Sequence, residues 1–315
     1  MTKFAFVFPG QGSQAIGMLN AFGDNLAVRD TLAEASDVLK IDLASLIATG
    51  PKELLDLTTN TQPVMLTAGV AMYRAWISAG GPVPDIFAGH SLGEYSALVA
   101  SGILSFKDAV PLVRFRAEAM QQAVPVGQGG MAAILGLPDA EVIALCAESA
   151  QGDVVEAVNF NAPAQVVIAG SKAAVERACE LAKARGAKRA LILSVSAPFH
   201  SSLLKPASDR LRVYLEPLDF SVGLVPVINN VDVAIVSDPV GLKDALVRQA
   251  ASPVRWVETI QKMASSGMTH VIECGPGKVL SGLTKRIDNT LISDAIVDAA
   301  SLERVLALLN GVARS

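Results

Sequence analysis

Gly89-His90-Ser91-Leu92-Gly93 decides the fold of this chain. An apolar run, residues 84–89, leads into it and a helical pattern, residues 92–101, leads out, so the serine stands on a strand-to-helix turn with glycine on either side. That is the nucleophile-elbow pattern in the context it requires. The glycines have a steric reason. A sharp turn crowds the positions flanking its apex, and residues without a Cβ relieve the contact while the serine hydroxyl projects above the sheet. The start of the helix also aims backbone N–H groups at any oxyanion that develops there. A serine acting only as N-cap of the following helix is the plainer alternative.

Outward from the turn, apolar runs alternate with helical patterns. Residues 4–8 read as a buried strand, residues 24–48, 63–79 and 106–123 as helices, and Pro63 falls where a first-turn proline is tolerated. Strands alternating with helices predict an α/β fold with a mostly parallel sheet covered on both faces. The texture changes over residues 126–195, where apolar 131–137, helical 139–150, apolar 154–158 and 165–169, helical 172–185 and apolar 189–195 follow one another. This βαββαβ order predicts a ferredoxin-like α+β subdomain, inserted where Pro125 and the glycines after it mark a boundary. The expected division is a discontinuous large domain, residues 1–125 and 196–315, and a small subdomain, residues 126–195. A short strand at 271–273 and an amphipathic helix from Leu302, with Ser301 as its apparent N-cap, close the large domain.

Composition narrows the function. The 315 residues are 51% hydrophobic and 18% charged, enough to bury a sizeable core, and the 5% aromatic content favours aliphatic packing between helices and sheet. A net charge of -4 leaves no electrostatic footprint for nucleic acid. Mean hydropathy is +0.43, yet the uncharged stretch 119–138 is interrupted by Gln121, Gln122, Pro125, Gly127, Gly129 and Gly130, so no membrane span is expected. The opening run reaches Pro9 too soon to supply a signal peptide's apolar core. Cys146, Cys179 and Cys274 are widely spaced, which indicates neither a disulfide framework nor a metal site and fits a reducing cytoplasm.

A serine hydroxyl needs a general base, and the chain has three histidines. His90 adjoins Ser91 on the turn, where neighbouring side chains diverge, and reads as a packing residue. His270 precedes an apolar strand and reads as a strand-edge residue. His200, in the proline-bearing loop Ala197-Pro198-Phe199-His200-Ser201 that leaves the last strand of the insertion, is the expected base. No Asp or Glu between Ser91 and His200 stands out as its orienting acid, and a backbone carbonyl could hold the imidazole tautomer instead.

On the helix at 106–123 the apolar stripe is Ala109, Leu112, Val113, Met120 and Ala123, and Arg116 falls on that stripe while Arg114 faces outward toward Glu118. An inward guanidinium must meet an anion or bear a desolvation cost of several kcal/mol. Either a buried Asp or Glu satisfies it, or a substrate carboxylate does. The glycines of Gly10-Gln11-Gly12 suggest a phosphate loop, but the next glycine is Gly17 and the nucleotide-binding spacings fail. Cys274 lacks a basic partner and is not expected to be a nucleophile. Lys183, Arg185, Lys188 and Arg189 form a basic cluster, read either as a solvated helix end or as a meeting point for an acidic protein.

Phe8-Pro9-Gly10-Gln11-Gly12-Ser13-Gln14, Gly89-His90-Ser91-Leu92-Gly93-Glu94, Arg116, Phe199-His200 and Glu273-Cys274-Gly275-Pro276-Gly277 together closely resemble the malonyl-CoA:acyl carrier protein transacylases of fatty-acid synthesis. The resemblance spans almost the whole chain and implies a hydrolase-like α/β core with a ferredoxin-like insertion. It implies that Ser91 attacks the thioester, His200 takes its proton, the backbone N–H groups of Gln11 and Leu92 hold the oxyanion, and Arg116 clamps the malonyl carboxylate. It further implies that the main-chain carbonyl of Gln249 orients His200 and that Gln62 and Asn159 lie near the pocket. The implied substrate is malonyl-CoA and the partner an acyl carrier protein bearing phosphopantetheine. No bound cofactor or metal, a monomeric state and a cytoplasmic location are expected. A serine esterase or thioesterase could share the elbow, and a phosphopantetheine-binding module that performs no chemistry is the alternative from another class.

Overall fold

A computed structural model describes residues 2–312, and among these nine strands form two sheets. In chain order they are β1 (Phe4–Phe8), β2 (Ile86–Gly89), β3 (Gly129–Leu135), β4 (Val155–Ala162), β5 (Gln165–Ser171), β6 (Arg189–Ile192), β7 (Val227–Ile228), β8 (His270–Cys274) and β9 (Ile292–Ile296). The first sheet is wholly parallel, in the order β7-β2-β1-β8-β9. Its central strand, Phe-Ala-Phe-Val-Phe, is buried along its whole length, as befits a strand covered by helices on both faces. Each large apolar side chain buried there contributes about 1.5–3 kcal/mol.

The second sheet is antiparallel, in the order β4-β5-β3-β6, and with the helices Asp139–Ala150 and Lys172–Ala184 it makes the ferredoxin-like unit. Period-two alternation divides its faces. Ala132 and Ile134 of β3 and Val166 and Ile168 of β5 pack with Leu145 and Val175 from the two helices. Met131, Val158, Val167 and Ala169 look the other way, toward Phe199. β4 is stitched to the larger unit by two backbone hydrogen bonds, Val254 N–H to Val158 O at 2.8 Å and Phe160 N–H to Val254 O at 3.0 Å.

Several local expectations are corrected. The single helix expected over 24–48 is two, Leu26–Leu39 and Leu43–Thr49, because Lys40 turns left-handed (φ 56°) and Asp42 caps the second by accepting from Ser45 N–H at 2.9 Å. Pro63 lies inside the helix Thr58–Ser78 rather than in its first turn. The polar run before it is helical because the N–H and hydroxyl of Thr61 both donate to the Leu57 carbonyl. The last helix runs Ala299–Val312, so Ser301 is inside it. Asp298 is the cap, accepting from Ser301 N–H at 2.7 Å. β6 stops at Ile192, and Leu193 to Val195 turn toward a cleft instead of extending the strand. His270 is not at a strand edge but is the buried first residue of β8, paired between Phe4 and Ile292.

Parallel register brings the C-terminal ends of β1, β2 and β8 together, with Phe8 opposite Gly89 and Val7 opposite Glu273. The turn after β2 fits there only without side chains. A Cβ on Gly93 would stand 2.0 Å from the Phe8 carbonyl oxygen, and one on Gly89 would stand 1.8 Å from the Gly93 carbonyl carbon. Because the obstacles are backbone atoms, Gly89→Ala and Gly93→Ala should each cost about 3 kcal/mol or more. Chemical denaturation checks this, and a midpoint equal to the parent's would contradict the steric account.

Candidate active site

Ser91 sits at the apex of the turn with φ +52°, a left-handed conformation that costs a non-glycine residue about 1–2 kcal/mol. Neighbours hold it there. Its N–H donates to Asn230 Oδ1 at 2.7 Å, its carbonyl accepts from Gln249 Nε2 at 2.9 Å, and Asn230 Nδ2 donates to the Gly89 carbonyl at 2.7 Å. The hydroxyl oxygen lies 2.7 Å from His200 Nε2 and 3.3 Å from Arg116 Nη2.

His200 also has a left-handed backbone, φ +67°, and its Nδ1 lies 2.9 Å from the carbonyl oxygen of Gln249. A carbonyl can only accept, so the proton belongs on Nδ1 and the Nε2 lone pair faces Ser91. Gln249 is the last residue of the helix Pro239–Gln249. Helix-terminal carbonyls lack intrahelical partners and carry the negative end of the dipole, so this one can orient an imidazole without a carboxylate. Burial, reinforced by the Arg116 guanidinium, pushes the His200 pKa down to about 3.

Arg116 is inward, as its helix position predicts, and 2% exposed; Arg114 pairs outward with Glu118 at 3.0 Å. Beyond Ser91, its direct partners are neutral amides: Nη1 donates to Gln62 Oε1 at 2.8 Å and Nη2 to Gln249 Oε1 at 3.0 Å. The guanidinium carbon lies 5.3 Å from the centre of the Tyr95 ring. Among the described residues no carboxylate forms a salt bridge with Arg116, and its Nε has no partner. Of the two ways to satisfy an inward arginine, a direct ion pair with a buried acid is therefore not the one found.

These groups line a cleft of about 450 Å³ between the two units. Gln11, Ser91, Leu92 and Arg116 line it from the larger unit, and Met131, Asn159 and Val167 from the small sheet. Among the described residues the Gln11 and Leu92 N–H groups have no hydrogen-bond acceptor, which leaves both open to an oxyanion. Asn159 Oδ1 is buried without a partner. A larger cleft of about 790 Å³ on the outer side of the small unit, near Glu148, Arg177 and Lys183, contains no histidine.

His90 turns away from Ser91's hydroxyl partners, meeting Asn161 Oδ1 at 2.8 Å and the Trp256 ring at 5.4 Å between centroids. His270 is at the opposite end of the parallel strands from Ser91. Burial holds the Cys274 thiol well above the usual thiol range, away from nucleophilic thiolate. Two residues that sequence reasoning did not single out join the site. Glu94, 2% exposed in the first turn of the helix Gly93–Ala100, accepts from Asn230 N–H at 2.9 Å and Gln249 Nε2 at 2.8 Å. Burial pushes its pKa up to about 7 against the pull of those two donors. Its adjacency to the elbow was a signal, whereas Asn230 offered none beyond an Asn-Asn pair after a short strand. Among the described residues no group of acidic, histidine and cysteine side chains could hold a metal, and no helix is long and apolar enough to cross a membrane.

Fold and site together are those of an acyl transferase, and residues 5–306 match the acyl transferase domain family. The malonyl CoA-acyl carrier protein transacylase of Escherichia coli K12 is 53% identical over 309 residues, covering 98% of this chain and 100% of the relative. A crystal structure of the acyl-carrier-protein S-malonyltransferase from Burkholderia pseudomallei superposes with a TM-score of 0.96 at 68% identity, covering 97% of this chain and 99% of that one. A malonyl-transacylase solved in complex with its type II PKS acyl-carrier protein superposes with a TM-score of 0.96 at 52% identity, covering 98% and 100%. The chain belongs to the family of malonyl CoA-acyl carrier protein transacylases.

The depressed pKa of His200 has a measurable sign. An ordinary histidine takes up a proton near pH 6.5, whereas His200 should stay neutral, and so able to accept a proton from serine, down to about pH 3. Because the unfolded chain binds that proton and the folded one does not, this group makes the fold less stable as pH falls from 6.5 toward 3. Imidazole NMR, with the signal assigned through His200→Gln, should show the neutral form at pH 5; a midpoint near 6.5 would refute it.

Proposed function

We propose that the protein transfers a malonyl group from malonyl-CoA to the phosphopantetheine thiol of an acyl carrier protein, through an ester on Ser91, and so supplies extender units for fatty-acid synthesis. The observation that carries the substrate choice is the buried Arg116 beside Ser91, whose direct partners are all uncharged. A planar guanidinium matches a carboxylate with two bonds, so it selects an acyl group bearing its own carboxylate over acetyl more sharply than an apolar pocket could.

Ser91 Oγ attacks the thioester carbon as its proton passes to His200 Nε2, 2.7 Å away. The N–H groups of Gln11 and Leu92 take the oxyanion, with Gln62 and Asn159 as pocket residues. Collapse breaks the C–S bond, and the proton on His200 goes to the departing CoA sulfur. In the second half the carrier thiol gives its proton to His200 and attacks the ester carbon, and Ser91 leaves with that proton restored. The cleft between the large domain, residues 1–125 and 196–315, and the small subdomain, residues 126–195, favours a positioned thiol over water. The reaction needs no resident cofactor or metal. The buried, unpaired Cys146, Cys179 and Cys274 fit a cytoplasmic enzyme, acting as a monomer.

The basic cluster is a weaker guide to carrier docking, since Lys183 pairs with Glu180 and Arg185 with Glu148. Ser91→Ala should abolish both transfer and the mass increase of the protein after exposure to malonyl-CoA. Transfer at the parent's rate would sink the mechanism, and rapid ester hydrolysis without a thiol acceptor would favour an esterase. Arg116→Ala should lower the malonyl-to-acetyl ratio of kcat/KM by about 100-fold, the equivalent of ~3 kcal/mol. An unchanged ratio would remove the arginine from substrate selection.

A further inference from the structure

We infer that Glu94 is the positioning residue for malonyl selectivity, holding Arg116 in place through the side-chain amide of Gln249. The inference rests on the function proposed above.

A glutamine amide has a donor end and an acceptor end, and what meets one end decides which way the other faces. Gln249 Nε2 is 2.8 Å from Glu94 Oε2 and 2.9 Å from the Ser91 carbonyl oxygen. Glu94 Oε2, which also accepts the Asn230 N–H, and the Ser91 carbonyl oxygen both face the NH₂ end as acceptors, so that end is fixed against them and Oε1 is turned to Arg116 Nη2 at 3.0 Å. A flipped amide would set oxygen against two oxygens and NH₂ against a guanidinium, which has no acceptor to offer. Without Glu94, the NH₂ end keeps only the Ser91 carbonyl as an acceptor, and the amide's hold on the arginine loses one of its two anchors.

The same Glu94 oxygen takes the Asn230 N–H at 2.9 Å, and Asn230 Oδ1 receives the N–H of Ser91 at 2.7 Å. One buried carboxylate oxygen therefore joins the amide that faces the cation to the amide that holds the nucleophile's backbone. Glu94 also supplies negative charge to Arg116 at one remove. A direct bidentate pair would use the guanidinium edge a substrate carboxylate needs; with Gln249 between them, no carboxylate of the protein takes that edge.

The test compares the full-length parent with Glu94→Met, which keeps the length of the side chain and removes the acceptor, and Glu94→Gln, which keeps an acceptor oxygen. Steady-state kcat/KM is measured with malonyl-CoA and with acetyl-CoA for each. Glu94→Met should lower the malonyl-to-acetyl ratio tenfold or more, chiefly through a higher KM for malonyl-CoA, and Glu94→Gln should restore the ratio to within about threefold of the parent. If Glu94→Met lowers both substrates in equal proportion, or leaves the ratio unchanged, Glu94 is only structural and the inference fails. Should that variant not fold, Glu94→Asp withdraws the oxygen by one methylene with its charge kept, and its ratio must fall at least threefold for the inference to stand. A parent enzyme with no preference for malonyl would instead defeat the proposed function itself.

Discussion

The closeness of Gly93 to the carbonyl of Phe8 is the constraint on which the site is built. It lets the helix Gly93–Ala100 begin directly above the central strand, and so leaves Ser91 nowhere to go but up, in a left-handed conformation. Such a conformation persists only where surroundings over-determine it. Here the surroundings are Asn230 on the amide and Gln249 on the carbonyl, both of which also meet Glu94. Backbone strain, the orientation of two amides and the placement of a buried carboxylate are thus one arrangement.

Electrostatics explain why this arrangement differs from a serine hydrolase with a full carboxylate triad. A carboxylate against His200 would stabilise its protonated form, whereas the helix-terminal carbonyl of Gln249 fixes the tautomer with less negative charge. Arg116 acts in the opposite sense, holding the imidazole neutral. The outcome is a base held in its neutral form by burial and the nearby cation, next to a guanidinium whose hydrogen-bond partners are all neutral.

Much of this was legible in the chain because it is periodic or local. The helix carrying Arg116 runs over the expected residues, Phe106–Ala123, since its apolar stripe keeps helical spacing on either side of that arginine, and the βαββαβ order of the small unit follows from alternating runs bounded by glycine and proline. The elbow is local too, fixed by glycines within five residues. What the chain hid depends on convergence. The carbonyl of Gln249 carries no side-chain signature, because any residue at that helix end would present one, and only the family resemblance pointed to it. Asn230 and Glu94 acquire their meaning only by meeting across more than a hundred residues. The polar Thr-Thr-Asn-Thr run shortly before Pro63 carries no apolar period, and its helical state shows only once the Thr61 hydroxyl is seen bonding to the Leu57 carbonyl.

The topology also dictates when the catalytic arrangement can exist during synthesis. β1 lies between β2 and β8, and the groups that surround Ser91 come from residues 11, 62, 116, 200, 230 and 249. A nascent chain therefore exposes its serine long before the helix that orients the histidine has been made, and the central strand cannot close its second flank until residues 270–274 emerge. Contacts of such long range form late. A chain that stops short of residue 249 has the nucleophile without an oriented base, so the capacity to take an acyl group arrives only after that helix has been made.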